Sequence, residues 1–141
     1  MTSVPGNHGH SSPQPRPILV PISVGELIDK VTILRIKTRH IKDPGKLENI
    51  NNELKAMLRV CSEHHIDPSS ELARDLERVN EALWVIEDKI RDKERAKTFD
   101  SEFVELARAV YVQNDSRFKV KSQINDAHGS CYREEKSYQP Y

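Results

Sequence analysis

Three polar side chains stand where a helix should stay apolar. In the stretch after Phe103, steps of three and four pass Leu106 and Val110, then reach Asn114, Arg117 and Lys121 before returning to Ile124. A cation on a buried stripe is costly unless paired, so this spacing calls for an acidic partner or an anionic ligand. One reading is a small polar pocket in which Asn114, Arg117 and Lys121 hold a small anionic metabolite. The alternative is a helix that breaks at Asn114 and leaves all three in water.

Other residues could share that work. Lys30 and Lys37 lie two turns apart on one helical face, a spacing that an anion can bridge. Their alternative is a solvated charged face. Glu87 shares a face with Trp84 and Arg91 and could pair a cation of the last helix, although Arg91 one turn on is the simpler partner. Trp84 itself reads as core with its indole NH satisfied. The tail Glu134, Glu135, Lys136 and Tyr138 either folds back on the body or is a peptide read by another protein.

No catalytic signature accompanies these residues. His8 and His10, and His64 and His65, lack the carboxylate or thiolate company of a metal site, so no metal is expected. Cys61 and Cys131 have no neighbouring base, and there is no phosphate-binding glycine motif, so no cofactor is expected either. Whether the chain is an enzyme stays open at this point.

The elements that must position these groups are helices. Leu72, Leu76, Val79, Leu83, Ile86 and Ile90 form one apolar stripe. Ser23 to Glu26 is a capping box that opens a first helix reaching about Ile41. Its stripe of Leu27, Val31, Leu34 and Ile41, widened by Ile28, Ile33 and Ile36, is broad enough for more than one neighbour. Asp43-Pro44 starts a second helix with Leu47, Ile50, Leu54, Met57, Leu58 and Cys61 inward. Asp67-Pro68 repeats that start for a third, and Asp100 or Ser101 caps a fourth that Gly129 ends.

The expected fold is therefore all-α. It is an antiparallel bundle of four to five helices with a long hairpin, about 68–96 and 101–127, and the two shorter helices end to end across it. A short strand pair between Ile18–Ile22 and the tail is an added option, with Pro21 confining that strand to an edge. The expected domains are a disordered extension over 1–17, a helical body over 18–128, and a docked tail over 129–141.

Charge narrows the partners. Lys plus Arg and Asp plus Glu are 22 each, so no global field draws nucleic acid or anionic lipid. No aromatic residues interleave with the first-helix cations, which also argues against nucleic acid. Residues 1–60 hold nine basic and five acidic residues, whereas 61–105 hold seven and thirteen. That basic first part and acidic middle can attract each other within one chain or between copies. Two isolated cysteines point to a reducing, cytoplasmic setting. No apolar run approaches the ~20 residues of a membrane helix, and the start has neither the basic end nor the apolar core of a secretory signal.

Four stretches resemble one family. They are Val20 to Leu34 (VPISVGELIDKVTIL), Asn80 to Arg91 (NEALW with IED and IR), Glu105 to Asp115 (ELAR with VY and ND), and Glu134 to Tyr138 (EEKSY). Together they resemble an uncharacterised, largely bacterial family of short helical proteins, a domain of unknown function. That resemblance implies a body starting near residue 18 and supplies no activity. Leu76 to Lys97 is also similar to the long first helix of helical chorismate mutases, with Arg78, Arg91 and Lys97 as its cations. Three readings follow: an interaction or assembly module, with a homodimer as one form; a binder of a small anionic metabolite with an electropositive pocket; and a mutase-like enzyme.

Overall fold

A computed structural model describes residues 16–141. Residues 1–15, with His8, His10 and most of the expected extension, lie outside the described residues. Four helices follow one another: α1 Val24–His40, α2 Pro44–Glu63, α3 Glu71–Arg95 and α4 Ser101–His128. No strand occurs among the described residues, and the all-α bundle stands. The terminal strand pair does not: Ile18 to Ile22 is exposed and unpaired, since an apolar run containing Pro21 finds no open sheet edge here.

Local signals set most boundaries. The Ser23 hydroxyl accepts the Glu26 amide at 3.1 Å, and the Asp43 carboxylate accepts the Lys46 amide at 2.9 Å ahead of Pro44. The third helix starts later than Asp67-Pro68 implies. Asp67 instead accepts the Ser69 amide two residues on, a turn of its own, and Ser70 caps α3 by accepting from Ala73. Asn114-Asp115-Ser116 does not interrupt α4, which runs on until Gly129 at φ +58° closes it.

α1 is the hub. It packs against each of the other three helices, while the backbone of α2 comes close only to α1. That explains the broad apolar surface: Leu27, Ile28, Val31, Leu34 and Ile36 are all buried. It also corrects the end-to-end arrangement, because α2 folds back beside α1. Lys30 meets Glu53, and Val24 and Leu27 lie near Val60 and His64. Leu27, Ile28 and Val31 join Cys61, Ala73, Leu76 and Ile124 in the core.

The helices of the α3–α4 hairpin are longer than the hub. At 1.5 Å per residue, α3 and α4 extend about 37 and 42 Å, and α1 about 25 Å. α1 ends where His40 stacks on Trp84, with ring centroids 4.9 Å apart. From Trp84 to Val120 no residue is buried. Beyond the contacts of α1 at Trp84 and of the C-terminal residues at Tyr111, Asp115 and Phe118, the far half of the hairpin is a two-helix arm.

Candidate functional site

The polar break in the α4 stripe faces α1, which supplies the acids. Asp29, 1% exposed, sits within the apolar surface of α1. The Arg117 guanidinium grips it with two bonds, Nε to Oδ1 at 2.9 Å and Nη2 to Oδ2. The Asn80 amide donates to Asp29 Oδ1 at 2.9 Å and to the Thr32 hydroxyl at 3.0 Å. Lys121 is buried one turn along α4. Its Nζ lies 2.8 Å from Glu26, 2.9 Å from Glu134 and 4.0 Å from Asp29.

These contacts favour the charged forms of both cations. The Asp29 carboxylate holds the Arg117 guanidinium above its ordinary range, against burial. Burial pulls Lys121 down, but its bonds to Glu26 and Glu134 outweigh it and leave the ammonium above its usual value. Burial pushes the Cys61 thiol up, away from the reactive thiolate.

The ends of α1 and α4 are stitched beside this cluster. The Gly25 amide donates to Asn125 Oδ1 at 2.7 Å, and the Val24 amide donates to the Ser130 hydroxyl at 3.2 Å. The tail then lies along α4. Glu134 meets Lys121, Lys136 Nζ stands 5.7 Å from the Phe118 ring centre, and the Tyr141 hydroxyl donates to Asp115 at 2.6 Å. Glu135 and Tyr138 are exposed.

Lys121 holds Glu134 below its usual carboxylate range, despite burial. A depressed carboxylate stabilises the folded state above its unfolded value and loses that contribution as pH falls through the folded one. Lys121, raised, loses its share only as pH rises above the ordinary lysine range. The tail is therefore predicted to stay docked at neutral pH and to lift in acid. Amide shifts of residues 134–136 should move below the ordinary carboxylate value of 4.5 while those of central α4 hold. Glu134→Gln should show the lifted pattern already at neutral pH.

A groove of about 470 Å³ opens on the other side of Arg117, between α1, α3 and α4. Ile33, Ile36, Leu83 and Trp84 form its apolar wall, with Glu87, Asp88 and Arg91 along the rim. Asn80, Asn114 and Arg117 present the remaining polar groups. Of the residues picked from sequence, Glu87, Asn114 and Arg117 come together here. Glu87 pairs with Arg91 rather than with a cation of α4.

Lys121 belongs to the buried cluster, where its acids saturate it. Lys30 pairs with Glu53 on the α2 side, and Lys37 is not among the residues that line this groove. The first-helix cations therefore do not converge with Arg117, because the face α1 turns to α4 carries Glu26 and Asp29. Nor is the groove electropositive: Glu87 and Asp88 offset Arg91 and Arg117. The mutase-like cations also fail to converge. Arg78 pairs with Asp75 within α3, Lys97 just past the end of α3 pairs with Glu94, and only Arg91 reaches the groove.

Sequence reasoning missed Asp29, Asn80, Gly25 and Asn125. The available signal was the presence of Asp29 and Thr32 within so apolar a surface, the mirror image of Arg117 within α4. Among the described residues no group of three or more His, Cys, Asp or Glu is placed to hold a metal ion. No helix of the structure is long and apolar enough to cross a membrane.

The sequence model of a family of unknown function (DUF6165) matches residues 18–140. No curated protein and no solved structure matches the chain.

Proposed function

The chain belongs to this family of unknown function, and we propose that it is an assembly module in which two copies join through the α3–α4 arm. The observation that carries this is the absence of any buried residue from Trp84 to Val120. Ile86, Ile90, Phe103, Leu106 and Val110 are half-covered by the facing helix, while Val85, Phe99, Val104 and Val112 stay 40–57% exposed. Two helices alone cannot close an apolar seam, whereas a second pair turns the arm into a four-helix bundle.

Charge supports a second copy as the occupant. Arg91, Lys93, Arg95 and Lys97 are paired within the chain. Asp88, Lys89, Glu105 and Arg108 have no ion-pair partner among the described residues. Unpaired charges of both signs along the arm suit a self-complementary, two-fold interface. α1, by contrast, has its apolar surface consumed inside the monomer.

Light scattering over roughly 1–500 µM should show the mass rising from one chain to two, since assembly follows concentration. Val104→Asp changes an exposed residue, so the chain should fold with unchanged helicity and remain monomeric. A wild-type mass of one chain throughout, or a dimer that ignores Val104→Asp and Phe99→Asp together, would remove the arm from this role.

A further inference from the structure

We propose that the groove beside Arg117 is a binding site for a zwitterionic amino acid with an apolar side chain. Asn80 is the key observation. It is 6% exposed and its NH2 is committed to Asp29 and Thr32. Reversing the amide would set its oxygen against the Asp29 carboxylate, so the orientation is fixed. Its Oδ1 has no hydrogen-bond partner among the described residues, and Asn80 lines the groove. The oxygen is open to the groove, so a donor bound there can take the place of water on it.

The opposite polarity stands next to it. Arg117 spends Nε and Nη2 on Asp29, which locks the guanidinium and leaves Nη1 without a partner among the described residues. Asn114 also lines the groove and makes no side-chain hydrogen bond among the described residues. A carboxylate fits the Arg117 and Asn114 donors. An ammonium fits Asn80 Oδ1, with Glu87 and Asp88 adding negative charge on the same side. A pure anion would meet those two acids and a pure cation would meet Arg91 and Arg117. Only a molecule carrying both charges satisfies the site.

Ile33, Ile36 and Leu83 give the apolar body its wall, and His40 stacks on Trp84 and helps fix the indole. The volume, about 470 Å³, is within the range of small-molecule sites.

Trp84 is the chain's single tryptophan, so its fluorescence reports on the groove directly. Titration with L-phenylalanine should give a saturable change. Phenethylamine lacks the carboxylate and 3-phenylpropanoate lacks the amine, and each should bind at least about tenfold more weakly, the worth of one lost ionic contact. Asn114→Ala should weaken L-phenylalanine by a similar factor with an unchanged melt. The monomeric Val104→Asp chain should bind as the wild type does, so the groove is tested apart from the arm. No saturable change with L-phenylalanine up to millimolar concentration, or equal binding of either half-molecule, would overturn the proposal.

Discussion

Asp29→Ala is expected to destabilise the fold by about 3–5 kcal/mol, the cost of breaking a buried ion pair by removing one partner. The residue is 1% exposed, both of its oxygens are bonded, and it serves three helices at once. Its loss leaves the Arg117 guanidinium without its carboxylate, removes one acceptor from Asn80, and withdraws the nearest fully buried negative charge from Lys121. Lys121 keeps Glu26 and Glu134, so the penalty falls mainly on Arg117. Urea denaturation should show a lower midpoint with an unchanged slope, the sign of lost stability rather than a looser native state. The double variant Asp29→Leu with Arg117→Met should recover a large part of the loss, since apolar groups of similar volume can replace a buried pair at little cost. A penalty of less than about 1 kcal/mol for Asp29→Ala would mean that water screens the cluster as it does a surface pair. Arg117 would then not be held rigidly, and the groove would lose its fixed donor.

The same cluster shows where reading the chain succeeds. Periodicity is a property of one helix, so the stripes of α2 and α3 and the polar gap in α4 can be seen from spacing alone. The gap even implies an acid. Which acid is a different matter: Arg117 and Asp29 lie 88 positions apart, and nothing local distinguishes Asp29 from Glu87. Geometry decided against Glu87, because Arg91 on the next turn claims it. The start of α3 failed for a related reason. Asp67-Pro68 and Asp43-Pro44 look alike, yet only the second lets the acid cap a helix, and at Asp67 a short turn takes the carboxylate first. The wide face of α1 correctly implied several neighbours. It did not show that α2 folds back beside it, since a three-residue connection sets proximity but not direction.

Gly25→Ala tests the close approach of α1 to α4, and we expect it to cost about 2–4 kcal/mol, an overpacking penalty joined to a weakened buried hydrogen bond. In a helix interior this change ordinarily helps, by up to about 1 kcal/mol, because alanine is the better helix former. Here a Cβ would stand 2.7 Å from the Lys121 carbonyl and 3.0 Å from Asn125 Oδ1. The first of these is backbone deep in α4 and cannot swing away. Relief requires moving the start of α1 off α4, which stretches the Gly25–Asn125 bond and draws Glu26 from Lys121. Gly45 is the internal control, since it also lies in the first turn of a helix and a Cβ there would meet only Asp43 Oδ2 at 3.4 Å. Gly45→Ala should therefore be neutral or stabilising, so the two substitutions should differ in sign in the same thermal melt. Equal behaviour would show that α1 can stand further from α4 without loss. In that case the contact between Lys121 and the acids of α1 would follow from the packing around it rather than help to hold it.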